Sequence, residues 1–191
     1  MLTEDQLISQ LVVHTKIYHP HISSERLAQH PLPPATPEEI KQVEIKMGMQ
    51  LPPLLKRLYM EVGNGKWGPG YDLYPLQKLD GKSNSIVQTY QDLCTMTQAD
   101  IDQMFDELED SDKDKPFLWP KQCIQLVDWG CNMYSTIDIS LPSCPIYFQD
   151  HNKYYSKWAI EADSLHEWLE AWLAGALTSN INFSAARLIS F

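Results

Sequence analysis

Three glycines in the first half of the chain have a spacing that can bind phosphate. Gly63, Gly65 and Gly68 match the glycine pattern of dinucleotide-binding proteins. That pattern requires a strand before it and a helix after it. Here an apolar segment with helical spacing precedes it, and Pro69-Gly70 follows it. We therefore interpret these glycines as a helix end followed by a tight turn.

Two other groups of residues resemble metal sites only in part. Alternating aspartates at 110–114 could open a calcium loop, but Lys115 and Lys121 stand where that loop needs glycine and glutamate. Four of the six histidines lie within residues 14–30, and Pro20 interrupts any helix beneath the pair closest to zinc-ligand spacing. We interpret them as ordinary surface histidines, and we expect no metal ion and no other cofactor.

One pair of carboxylates keeps catalysis open as an alternative. Asp128 and Asp138 lie on two predicted strands, and if they faced each other they could serve a small hydrolase. The simpler interpretation is that each acid ends or turns a strand. Asp150 and His151 are neighbours, and adjacent strand residues point to opposite faces of a sheet. The sequence contains no serine-hydrolase, zinc-protease or P-loop motif.

The strongest chemical signal is negative charge concentrated in one segment. The chain has 15 basic and 25 acidic residues, a net charge of −10, and residues 100–115 hold eight of those acids with two lysines. One interpretation is the solvated face of an amphipathic helix. The other is a docking surface that steers a basic partner. The candidate contacts, called the acidic strip below, are Asp102, Asp106, Glu109, Asp110, Asp112 and Asp114.

Charge and composition also limit the class of partner and the compartment. An acidic surface is repelled by nucleic acid, which binds cationic groups, so we expect a protein partner. The first residues, MLTEDQL, carry acids where a signal peptide carries bases, and no stretch approaches the ~18 apolar residues that span a bilayer. The four cysteines form no C-x-x-C pair. We therefore expect a cytoplasmic protein with reduced thiols and no membrane partner, and the oligomeric state stays open.

Caps and apolar periodicity predict the elements that position these groups. Four capping signatures mark helix starts, at Thr3, Thr36, Thr97 and Ser164. Helical spacing predicts helices over 4–16, 37–47, 51–62, 85–94, 98–109 and 165–174. Alternation predicts strands over 123–128, 133–139 and 145–150, with a possible edge strand over 71–76.

This order of elements predicts an α+β fold. Strands joined by short turns pair antiparallel, so we expect a mostly antiparallel sheet flanked by helices in a single domain. A helix and a proline-rich connector would occupy 1–34, the domain 35–175 and a polar tail 176–191.

Trp67 and Tyr71, on the glycine-rich turn, are candidate aromatic anchors for a partner. Packing in the core is the alternative for both.

Three segments resemble the SUKH superfamily, which includes bacterial immunity proteins of polymorphic toxin systems and a yeast cell-wall assembly regulator. The first runs from Glu38-Glu39 through Leu51-Pro52 to Asn64-Gly65 and is similar to the family's paired helices and their end. The second, with Gly130 and Asp138, resembles the family's glycine-then-strand stretch. The third, SLHEWL from Ser164, is similar to its closing helix. Together they cover about residues 35–175.

The resemblance implies a fold, a function and an absence of catalysis. The fold would be α+β, and the protein would be a non-catalytic module that binds and neutralises a cognate toxin, often a nuclease. A nuclease presents cations to phosphate, which agrees with the independent argument from charge. An intracellular adaptor that binds regulatory proteins is the alternative that the yeast member suggests.

Overall fold

Helices fill the first half of the chain and strands most of the second. The computed structural model describes residues 1–17, 31–78, 84–107, 117–154 and 156–190, with side chains except at 104–107 and 190. The helices are α1 Glu4–Ile17, α2 Pro37–Met47, α3 Pro53–Arg57, a π-helix Leu58–Val62, α4 Ile86–Thr95, α5 Gln98–Glu107 and α6 Leu165–Leu173. The strands are β1 Cys123–Gly130, β2 Met133–Asp138, β3 Ile146–Asp150, β4 Lys157–Ala162 and β5 Leu188–Ser190.

The helix starts are set by local hydrogen bonds, as predicted. The Thr36 hydroxyl accepts from the Glu39 backbone N–H at 3.2 Å, and the Glu39 carboxylate accepts from the Thr36 N–H at 2.7 Å. Gly48 ends α2 in the left-handed conformation, with φ of 69°. Ser164 caps α6 through its hydroxyl, which accepts from the Glu167 N–H at 3.1 Å. These contacts confirm the predicted starts of both helices.

The helix predicted over 51–62 changes its hydrogen bonding halfway along. After α3 the chain continues as a π-helix, and Gly63 donates to the Leu58 carbonyl at 3.2 Å. The Tyr59 carbonyl accepts instead from the Ala35 N–H, at 2.8 Å. The wider turn therefore ties the proline-rich connector to the helix core.

The five strands form one antiparallel sheet in the order β1-β2-β3-β4-β5. The three predicted strands are confirmed as its first three members, and the sheet with its helices confirms the α+β class. Sequence analysis missed β4 and β5. Their pairing joins residues distant in sequence, such as Trp158 with Ile189, and β5, with three residues, is too short to show a period-two pattern.

The edge strand predicted over 71–76 is confirmed only in part, as a short contact with β1 in which Tyr71 and Tyr74 donate to the Asp128 and Leu126 carbonyls. Only Leu73 forms a bridge, an isolated antiparallel one to Val127. Leu73 donates its N–H to the Trp67 carbonyl at 2.7 Å, so the segment folds back onto its own turn. Pro75, which has no N–H, could not extend the pairing.

The main core lies between the helices and one face of the sheet. The fully buried Leu7 and Leu11 place α1 in this core, together with Tyr59 and Trp168. On the opposite face, Trp158 packs with Phe117 and Trp119 in a second cluster. The first helix and the last strand, which lie outside the predicted 35–175 domain, thus pack directly against it.

Candidate protein-binding surfaces

The side chains of Trp67 and Asn64 hold the glycine-rich turn in place through hydrogen bonds to the backbone. Trp67 is 3% exposed, its indole N–H donates to the Gly63 carbonyl at 2.9 Å, and its ring lies 5.8 Å from that of Trp172. The Asn64 side-chain oxygen accepts from the Leu76 N–H at 3.0 Å. Of the two candidate anchors, Trp67 is therefore a core residue, because its ring and its N–H are both used inside the protein.

Tyr71, the other candidate anchor, is 70% exposed. Its backbone N–H donates to the Asp128 carbonyl at 2.8 Å, which fixes the turn to the end of β1. Its ring lies directly against Gly130, where a methyl group would overlap the ring and lie 3.2 Å from the hydroxyl oxygen. The structure thus presents one aromatic ring on the surface, supported from below by a glycine.

The beginning of the acidic strip lies on α5. Asp100, just before the strip, caps this helix by accepting from the Thr97 N–H at 2.8 Å, and that bond lowers the pKa of the Asp100 carboxyl. Asp102 accepts from the side chain of Gln98 at 2.9 Å. Ile101, 3% exposed, anchors the helix to the protein. Asp106 lies within α5, and Glu109, Asp110, Asp112 and Asp114 fall outside the described residues.

The two carboxylates considered for hydrolysis do not face each other. In the β1–β2 pairing Asp128 lies opposite Tyr134, and Asp138 lies opposite Cys123, five residues along the strand. Five strand residues span about 17 Å. Asp138 is engaged in a turn, accepting from the Ser140 N–H at 2.8 Å. The predicted pair is wrong, and each acid serves the end of its strand.

Sequence analysis also missed a buried carboxylate beneath α6. Glu161 lies at an irregularity in the pairing of β3 with β4. Its Oε2 accepts from the Ser135 hydroxyl at 2.7 Å, and Ser135 accepts from the Trp129 indole at 2.7 Å. Its Oε1 is buried without a hydrogen bond, as is the indole nitrogen of Trp168. Burial raises the pKa of Glu161 to about 7, although Ser135 and the nearby Trp168 oppose this effect.

Among the described residues, the remaining titratable groups form no metal-ligand cluster and no disulfide. Within the described part of the chain, no three histidine, cysteine or acidic side chains lie close enough to hold a metal ion. His14 packs against Trp172 with ring centres 4.8 Å apart, and burial lowers its pKa. All four cysteines are unpaired in the structure. Among the described helices, none has the length and apolar character needed to cross a membrane.

Comparison with known families agrees with the fold and the sequence resemblance. A model of the SMI1 / KNR4 family (SUKH-1) matches residues 34–171, well over half of the chain. The matched region runs from the connector beside Ala35 through β1, β2, β3 and β4 into α6. A comparison with curated proteins gave no match. The chain belongs to the SMI1 / KNR4 family (SUKH-1).

Proposed function

We propose that this protein is a non-catalytic immunity protein that binds and neutralises a cationic toxin domain, one that acts on nucleic acid, in the cytoplasm. The observation that carries the proposal is the acidic charge of a chain that belongs to the SUKH-1 family. A toxin that acts on nucleic acid must present cations to phosphate. An acidic inhibitor can cover those cations and block access to the substrate.

The position of the acids supports a role in binding rather than in helix stability. Every charged residue within α5 is acidic, and Asp102 and Asp106 lie one helical turn apart, a like-charge spacing that is unfavourable by about 0.2–0.5 kcal/mol. Further acids follow at once in the sequence. Charge that is unfavourable for the helix can still accelerate encounter with a cationic partner.

The first experiment identifies the partner and tests protection. The product of the neighbouring reading frame is expressed in a bacterial host with and without this protein, and growth is measured. The proposal expects growth arrest that this protein relieves, together with a complex that co-purifies. The proposal fails if the neighbouring product is not toxic or if this protein does not relieve its toxicity. Binding of this protein to many unrelated regulators would then identify it as an adaptor.

The second experiment tests the acidic strip through association kinetics at two salt concentrations. Neutralising four of its acids should slow association more than it speeds dissociation, and raising the salt should remove the difference. The variant carries Asp106→Asn, Glu109→Gln, Asp110→Asn and Asp112→Asn. A matched control removes the same charge elsewhere, through Glu38→Gln, Asp92→Asn, Asp163→Asn and Glu167→Gln. Equal rates for the two variants would show that the strip is only a solvated face.

A further inference from the structure

At the surface around Tyr71, an exposed aromatic ring and a carboxylate both contact the same glycine, Gly130. The Asp128 carboxylate accepts from the Gly130 N–H at 2.6 Å, and the Tyr71 ring lies against the same residue. The N–H and the α-carbon of one residue are adjacent atoms. The carboxylate and the ring are therefore brought to the same small area at the end of β1.

Two glycines make this arrangement possible. At Gly70, which has φ of 61°, a methyl group would lie 2.7 Å from the Asp128 carbonyl oxygen. At Gly130, with φ of 80°, a methyl group would overlap the Tyr71 ring. Because neither residue carries a side chain, the turn lies flat on the end of the hairpin. Tyr71 is thus held in place while most of its surface stays exposed.

Unusual backbone conformations concentrate in the same area. Among the described residues, five that are not glycine have positive φ, and only Cys144 lies away from the turn and the hairpin tip. Such conformations cost free energy and are enriched where a binding surface is held in a fixed shape. The other four are Lys66, Asp72, Cys131 and Asn132.

From this geometry we infer that Tyr71 and Asp128 form a binding site for an arginine side chain of the partner protein. A guanidinium group stacks its positive charge on an aromatic face and donates charge-assisted hydrogen bonds to a carboxylate at its edge, whereas a neutral side chain lacks the charge and an ionised acid has no proton to donate. Arginine is also the cation that interfaces use most at their buried centre. The inference rests on the proposed function, since it names the chemistry by which a cationic partner is anchored.

A small-molecule experiment tests the site without the toxin. N-acetyl-arginine amide is titrated into the ¹⁵N-labelled protein, and the backbone amide of Gly130 is followed by NMR. We expect a saturable shift with arginine and none with N-acetyl-citrulline amide, which has nearly the same shape but no charge. A shift of equal size with both compounds, or no shift at Gly130, overturns the inference.

Three variants distinguish this site from general attraction to an acidic protein. Tyr71→Ala should weaken arginine binding about 2–5-fold, the range for an exposed cation–π contact. Asp128→Asn removes the charge but can still accept from the Gly130 N–H, and it should weaken binding by a similar factor. Asp102→Asn, on α5, removes the same charge elsewhere and should leave the Gly130 shift unchanged. If Asp102→Asn matches Asp128→Asn, the attraction is general and the inference fails.

The outcome separates this inference from the proposed function. If wild-type protein and Tyr71→Ala protect cells equally against the neighbouring toxin and show equal arginine binding, the arginine site is refuted while the immunity function stands. If arginine binds at Gly130 but no toxin is neutralised, the site stands and the proposed function fails.

Discussion

The buried carboxylate of Glu161 gives a quantitative prediction about stability and pH. Its Oε2 is hydrogen-bonded to Ser135, its Oε1 is buried near the Trp168 indole without a well-formed hydrogen bond, and no described cation forms an ion pair with it. The groups that interact with it are the neutral side chains of Ser135 on β2 and Trp168 on α6, and Ser135 in turn accepts from the Trp129 indole on β1. Ionisation therefore places a charge among groups that compensate it only in part.

The sign and size of the effect follow from linkage between protonation and folding. Folding raises the pKa of Glu161 from 4.5 to about 7, so the folded state holds the proton more tightly than the unfolded state does. The stability from this group is complete below pH 4.5, declines as the pH rises, and is lost above pH 7. A pKa change of this size corresponds to about 3 kcal/mol, of which about 2 kcal/mol is lost between pH 5 and pH 8.

The assay compares wild-type protein with Glu161→Gln, which cannot ionise. The free energy of unfolding is measured by urea denaturation with tryptophan fluorescence at several pH values between 5 and 8. Between the ends of this range, wild-type protein should lose about 2 kcal/mol more than Glu161→Gln, because all other titrating groups are common to both. Glu167→Gln is the control, since Glu167 is an exposed acid on α6.

Two results would refute this reasoning about Glu161. Parallel pH profiles for wild-type protein and Glu161→Gln would show that the carboxyl titrates alike in the folded and unfolded states. A wild-type protein that gains stability relative to the variant as the pH rises would show that hydrogen bonds to the ionised form outweigh burial. Glu167→Gln should follow the wild-type profile.

Two further predictions concern the helix start and the cysteines. Thr36→Ala should lower the free energy of unfolding by about 1 kcal/mol, because the hydroxyl that accepts from Glu39 is lost; an unchanged denaturation midpoint would contradict this, and Thr36→Ser is the matched control. Thiol titration under denaturing, non-reducing conditions should count four free cysteines. In the folded protein exposed Cys131 should react first, whereas Cys123 and Cys144 should react last because burial shields them and raises their pKa. Fast labelling of a Cys131→Ser variant would contradict this order.

The parts of the fold that were predicted depend on neighbours in sequence. The cap at Thr36 needs only Glu39, three residues later, and the cap at Ser164 needs only Glu167. The three strands β1, β2 and β3 follow one another closely in the chain, so the alternation of apolar and polar residues was enough to predict them. By contrast, β5 exists because it pairs with β4, some thirty residues earlier in sequence. A segment of three residues is too short to show the periodicity from which a strand can be predicted.

The buried carboxylate of Glu161 also could not be predicted from its neighbours in sequence. Glu161 was not singled out, because a single acid near the end of a short segment that was not recognised as a strand resembles many surface acids. Its character comes from an irregularity in strand pairing and from Trp168 on α6. The signal that could have pointed to it is the alternation of Trp158 and Ile160 just before it, which predicts a strand and places Glu161 on the opposite face.

Trp67 and Tyr71 show how nearby residues of similar type acquire different roles. Both are aromatic, both follow the helix end at Gly63, and spacing alone could not separate them. The indole N–H of Trp67 reaches back to the Gly63 carbonyl, so that ring enters the core beside Trp172. Tyr71 follows Gly70, whose left-handed conformation turns the chain onto the end of β1. The side chain of Tyr71 then lies against Gly130 and stays 70% exposed, so the ring remains on the surface, where we propose that it contacts a partner.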